Sequence, residues 1–239
     1  MTHFVLIHGA WHGAWCWYKI IPRLRQHGHQ VTAPDLPGHG IDRTPTNRVS
    51  MRSYTDRVCQ ALDESDEPAI LVGHSMGGTV ITQTAEYRPE KISKLVYVAA
   101  FLMPNGRSLF DEAHTHDASL VPPNMVFDED DPTYVGFRRE AAKETFYADC
   151  SDEDLTLALS LLTPQPQSPL MAPMETTGAN FGRVPRVYIE ALQDHAITPD
   201  VQKRMHTELP CEQVISIDAS HSPFFSQPQV LADQLLSLI

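Results

Sequence analysis

Residues 69–87 read AILVGHSMGGTVITQTAEY, and this stretch decides the fold. Ala69-Ile70-Leu71-Val72 is a short apolar run of strand type, Gly73-His74-Ser75-Met76-Gly77 matches G-x-S-x-G, and the residues from Thr79 to Tyr87 can continue as a helix. A serine pinched between a strand and a helix is a nucleophile elbow. The turn leaves no room for side chains on either side, which requires glycine at Gly73 and Gly77. It thrusts the Ser75 hydroxyl out of the sheet edge. It also aims the Met76 N–H, at the positive end of the new helix, at any oxyanion forming beside that hydroxyl. A glycine turn with an idle serine would satisfy the short pattern alone. The strand before it and the helix after it favour a nucleophile.

Around this turn, strand and helix patterns alternate. Strand-like runs fall at 3–8, 30–36, 69–74, 94–100, 186–192 and 213–218. Most are nearly continuous in Val, Ile, Leu and Ala, as strands covered on both faces should be. Helical stretches fit at 15–27, 53–65, 76–87, 199–208 and 228–238, with Pro199 in a first-turn position. The alternation predicts an α/β fold with a mostly parallel sheet of about six strands and right-handed crossovers. Between Phe101 and Arg183 the rhythm breaks into a stretch rich in Pro, Asp, Glu and Met. About eighty residues is too long for a loop in a compact domain. Residues 104–180 are therefore expected to form a cap inserted after the fourth strand, over a core made of 1–103 and 181–239. Within the cap, 151–162 reads as a helix with Ser151 as its N-cap, and 140–147 as a second helical stretch.

A serine hydroxyl is a poor nucleophile unless a base takes its proton, and the base needs an acid to hold its tautomer. In such a sheet the histidine should follow the last strand and the acid the strand before it. His221 follows the run 213–218, and Asp194 follows 186–192, the two being 27 positions apart. That is room for one helix and one strand. The rivals fit less well. His74 points away from the reacting face of an elbow, and His195 leaves no acid upstream at a strand end. Asp218 is too near His221, and Glu190 sits mid-strand. The loop after the first strand, HGAWHGAW at 8–15, should lie beside the elbow. Gly9 lets that backbone turn toward the serine, so the Ala10 N–H is expected as the second oxyanion donor. Trp11 is a candidate for the pocket wall, while His12 reads as a hydrogen-bonded structural histidine. Leu102, Met103, Phe110, Met125, Phe127, Phe137, Leu161 and Met171 are further candidates for an apolar pocket, each of which core packing would explain equally well.

Composition narrows the function. Hydrophobic residues make up 42% of the 239 and charged residues 20%, an ordinary globular balance. The formal net charge of −12 argues against nucleic acid or an anionic membrane as partner. No apolar run spans a bilayer, and the N-terminus lacks the basic region of a signal peptide. The four cysteines, Cys16, Cys59, Cys150 and Cys211, form no C-x-x-C pair and are expected as reduced thiols of a cytoplasmic protein. His114-x-His116 is the nearest thing to a metal-ligand pair, but no Cys/His cluster accompanies it, so no metal is expected. The glycine-rich stretches match no nucleotide-binding pattern, and no cofactor is expected.

The strings HFVLIHGAWHGAWCWYKIIPRL, GHQVTAPDLPGHG, AILVGHSMGG and VYIEALQD, with the final His221, resemble the α/β-hydrolase superfamily. They are most similar to the branch that holds plant methylesterases, the salicylate-binding esterase and α-hydroxynitrile lyases, and to bacterial aryl and pyrethroid esterases. The likeness covers nearly the whole chain and is weakest across 105–178. It implies a triad of Ser75, Asp194 and His221, with oxyanion donors at the Ala10 and Met76 amides. Lyases of this branch carry threonine where this chain has Gly9. They also carry a lysine, which holds the leaving cyanide, where it has Ser222. The chain sides with the esterases at both positions, and Gly9 and Ser222 join the residues expected around the substrate. The resemblance also extends to cofactor-free peroxidases and dioxygenases. It implies a serine carboxylesterase acting on small to medium aryl or alkyl esters through an acyl-enzyme, with a homodimer left open. The alternatives are a hydroxynitrile lyase and a slow-turnover ligand receptor that keeps the triad.

Overall fold

The structure is a computed structural model and describes residues 1–113 and 118–239. The His114-x-His116 pair lies outside the described residues. All six expected strands form: β1 (His3–Ile7), β2 (Gln30–Thr32), β3 (Ala69–His74), β4 (Ile92–Val98), β8 (Arg186–Ala191) and β9 (Gln213–Ile217). They make one parallel sheet in the order β2-β1-β3-β4-β8-β9. Every residue of β1 and β3 is buried, which explains why their sequences run apolar without alternation.

β2 is shorter than the run 30–36 because Pro34 has no N–H to give a ladder. The Asp35 carboxylate then turns the chain by accepting from the backbone N–H of Ala14 at 2.6 Å and of Ile41 at 3.0 Å. The expected helix 15–27 is split. A 3-10 turn at Ala14–Trp17 precedes α1 (Ile20–Gln26), whose Pro22 is confined to the first turn, where a missing N–H costs nothing. The remaining helices of the core are α2 (Met51–Leu62), α3 (Gly77–Tyr87), α8 (Pro199–Glu208), α9 (Pro223–Ser226) and α10 (Pro228–Leu236).

The long segment between β4 and β8 is built of short pieces. These are α4 (Leu109–Ala113), β5 (Met125–Phe127), β6 (Tyr134–Phe137), α5 (Ala142–Phe146), α6 (Asp152–Leu161), β7 (Gln165–Pro166) and α7 (Gln167–Met171). β5, β6 and β7 form a separate antiparallel sheet. Ser151 caps α6 by accepting from the Asp154 N–H at 3.2 Å, and acidic residues fill its first turn. No helix among the described residues is long and apolar enough to cross a membrane.

The turn between β3 and α3 is as tight as its glycines suggest. A Cβ on Gly73 would lie 2.6 Å from the Gly77 carbonyl oxygen, and one on Gly77 would lie 2.8 Å from the carbonyl oxygens of Ile7 and His8. Gly77→Ala should therefore push α3 off β1 and cost about 2 kcal/mol, the usual scale for overpacking against an unyielding backbone. A urea-denaturation midpoint equal to that of the parent chain would contradict this.

Candidate active site

Ser75 stands between β3 and α3 with φ at +53°, a left-handed conformation that a non-glycine residue rarely adopts. Its backbone is fixed from two sides. Its carbonyl accepts from Gly78 at 3.0 Å and from Phe101 at 3.1 Å. The side chain is half-buried and faces a cavity whose wall also holds Ala10 and Met76. Both of those residues are buried. No hydrogen bond from the amide N–H of Ala10 or Met76 is made among the described residues. Buried N–H groups are nearly always paired, so two free ones at one cavity wall suit a ligand oxygen.

Asp194 leaves the end of β8 and is held completely. Its Oδ1 accepts from the backbone N–H of Ala196 at 2.7 Å and of Ile197 at 2.9 Å. Its Oδ2 accepts from Gln202 Nε2 at 3.3 Å and from His221 Nδ1 at 2.8 Å. Both of its oxygens thus act as acceptors. His221 must then carry its proton on Nδ1, which leaves Nε2 as the basic nitrogen. Both side chains are buried, at 0% and 1% exposure, so their interaction is shielded from water. The loop before His221 is fixed by Asp149, which accepts from the Ser220 N–H at 3.0 Å and from the Ser220 hydroxyl.

The rival groups have partners elsewhere. His195 Nδ1 bonds the Glu144 carbonyl at 3.0 Å, Glu190 accepts from Ser216 and lies 3.3 Å from His206, and Asp218 accepts from Gln193.

The loop 8–12 is braced by its own histidines. His8 accepts from the Leu36 N–H through Nε2 at 3.1 Å, so it must donate from Nδ1 to the Gly9 carbonyl at 2.8 Å. That carbonyl belongs to the same peptide group as the Ala10 N–H. His12 donates from Nδ1 to the Ala10 carbonyl at 2.7 Å and accepts from the Tyr147 hydroxyl at 2.7 Å. Burial pushes the His12 imidazole down to about 4, so it is uncharged near neutrality. Trp11 has φ at +60° and ties the loop to the inserted segment. Its amide donates to Gln165 Oε1 at 3.3 Å and its indole to the Val135 carbonyl at 2.9 Å.

Of the residues expected at the pocket, Trp11, Phe110 and Met125 line the cavity. Gly9, Leu102, Phe127, Leu161 and Ser222 are not in its wall. Gly9 lies behind the nucleophile, where a Cβ would come 2.8 Å from Ser75 Cβ. Leu102, like Met103, is fully buried in the hydrophobic core, while Phe127 is 55% and Leu161 37% exposed on the outer surface. Ser222 is fully buried with no hydrogen-bond partner for its hydroxyl among the described residues. Phe137 packs on Trp11 at a centroid distance of 5.3 Å, and Met171 is half exposed. The rest of the wall comes mainly from Phe101, Leu109, Val121, Phe146, Leu170, Ile197 and Val201. Ile197 and Val201 follow directly from the acid's loop into α8, the one local signal that could have pointed to them.

Comparison with known proteins places this geometry in context. A model of the "Alpha/beta hydrolase family" matches residues 4–234. Methylesterase 2 of Arabidopsis thaliana is 36% identical over 251 residues, covering 99% of this chain and 95% of that protein. The crystal structure of the methylesterase protein MES16 from Arabidopsis superposes with a TM-score of 0.86 at 31% identity, covering 100% and 98% of the two chains. A pyrethroid hydrolase from Sphingobium faniae JZ-2 superposes with a TM-score of 0.89 at 30% identity, covering 99% and 96%. Other methylesterase relatives are longer: the chain spans 64% of one chloroplastic protein of Arabidopsis thaliana and 55% of another.

Proposed function

This chain belongs to the α/β-hydrolase family, in its methylesterase branch, and on that premise we propose that it is a serine carboxylesterase for small to medium neutral esters. One observation carries the reading. A strained, half-buried serine faces an apolar cavity beside two unpaired buried amides, and the chain also holds a buried Asp194–His221 pair at 2.8 Å of the kind that serves such a serine as base.

Ser75 Oγ attacks the ester carbonyl carbon as His221 Nε2 takes its proton. Asp194 stabilises the imidazolium that forms. The carbonyl oxygen, now negative, takes hydrogen bonds from the Ala10 and Met76 amides, which are aimed before the reaction begins. The tetrahedral intermediate collapses, the alcohol leaves with the proton from His221, and water activated by the same imidazole releases the acid. Residues 104–180 serve as the cap, since Leu109, Phe110, Met125, Phe146 and Leu170 come from it and cover the cavity with hydrocarbon.

A fluorophosphonate probe should add one phosphonyl group per chain, located by peptide mass at Ser75. Acyl-chain series of nitrophenyl esters should peak at short to medium length, because the walled volume limits the acyl part. Labelling elsewhere, or best turnover of long chains, would overturn the reading. Mandelonitrile cleavage is expected to be absent, since the lyase positions are held by Gly9 and by the buried, uncharged Ser222.

A further inference from the structure

His74 adjoins the nucleophile yet takes no part in the chemistry described above. It is fully buried at the end of β3, and its Nε2 lies 2.8 Å from the backbone carbonyl oxygen of His221. A carbonyl oxygen can only accept, so His74 must carry its hydrogen on Nε2 and donate. The other nitrogen, Nδ1, has no hydrogen-bond partner among the described residues. That fits the same tautomer, since a lone pair left unpaired in a core costs less than an unpaired N–H. The ring is wedged in place. Its centroid lies 4.6 Å from that of His221 and 4.9 Å from that of Phe224, which meets it edge to face.

We propose that His74 is a positioning residue, whose Nε2–H anchors the His221 carbonyl and so fixes where the base stands relative to Ser75. This rests on the reading of Ser75 as nucleophile and His221 as its base. Three ties then hold the histidine loop. Asp194 takes the side chain, Asp149 takes the preceding Ser220, and His74 takes the backbone of residue 221 itself. Only the last tie runs to the strand that carries the nucleophile, one peptide bond from Ser75. One hydrogen bond and one peptide bond thus join the backbone of the base to that of the nucleophile. The anchor must also be uncharged, because the imidazolium formed on His221 stands one ring away. Burial first, and then the neighbouring imidazoles of His221 and His12, which would repel a second positive ring, hold the His74 imidazole well below its ordinary range.

The test compares His74→Asn with His74→Gln. Glutamine can present an amide nitrogen where Nε2 stands, whereas asparagine is one methylene shorter and reaches only the Nδ1 position. With a nitrophenyl ester, kcat of the Asn variant should fall about 100-fold, the scale for a small misplacement of a reacting group. KM should stay within about threefold, and the Gln variant should recover most of kcat. Normal kcat in the Asn variant, or equal loss in both, would overturn the proposal. Nitrogen-15 NMR of the unmodified protein supplies a readout that does not depend on variants folding. It should show His74 neutral with hydrogen on Nε2, and hydrogen on Nδ1 would refute the anchor. Failure of the underlying esterase reading is distinguishable, because the parent chain would then not be labelled at Ser75.

Discussion

Ser75→Ala is expected to lower kcat on a nitrophenyl ester by about 10⁶, with KM nearly unchanged, the scale seen when a triad nucleophile is removed from other hydrolases. The fold should survive. Alanine is smaller than serine, and the positive φ at this position is imposed by Gly73, Gly77 and the bonds from Gly78 and Phe101, not by the hydroxyl. His221→Ala should cost about as much as Ser75→Ala, and the double variant scarcely more, because the two act as a unit. A residual rate of about 10³ over water should persist, since the Ala10 and Met76 amides and the cavity remain. Stopped-flow release of nitrophenol decides it. A Ser75→Ala chain with turnover within tenfold of the parent would mean that another group attacks the ester.

How far the sequence discloses this site depends on which physical constraint places each residue. Ser75 is legible because an elbow is a local device: its glycines, strand and helix all lie within one short stretch. Asp194 and His221 are legible because sheet topology puts them there, each in the loop that leaves a strand at one edge of the same sheet. The cavity wall obeys neither rule. Phe101 lines it and its neighbour Leu102 is buried in the core, a distinction of one position that no periodicity reveals. Met125 reaches the cavity, while Phe127, two residues along the same short strand, ends exposed. The inserted segment that carries them is made of elements such as the five-residue α4 and the two-residue β7, too short to imprint a pattern. The histidines show a related limit. His8, His12 and His74 are identical as letters, and their roles come from acceptors and donors on distant segments, at Leu36, Tyr147 and His221.

Those same histidines should make the fold acid-labile in a window set by imidazole rather than carboxylate titration. His8, His12 and His74 are 0%, 2% and 0% exposed. Burial pushes His12 down to about 4 and holds His8 and His74 well below their ordinary range. In the unfolded chain each would titrate near 6.5. Below that pH the unfolded state binds protons that the folded state refuses, so stability is complete above 6.5 and is lost as pH falls toward 4. At pH 5 each group would remove about 2 kcal/mol, and three together about 6 kcal/mol, comparable to the whole stability of many domains. The Asp42 carboxylate does not confuse this window. Although partial burial opposes it, hydrogen bonds from Thr44, Gly38 and Arg57 hold it below the usual carboxylate range, so it titrates at more acid pH. The urea midpoint should therefore fall steeply between pH 7 and pH 5. His12→Asn should start less stable at pH 7, having lost the bond to Tyr147, yet show a shallower slope, since one linked proton is gone. A midpoint that stays flat until pH 4 would show that these imidazoles do not govern acid stability. An undiminished slope in the Asn variant would exclude His12 from the set.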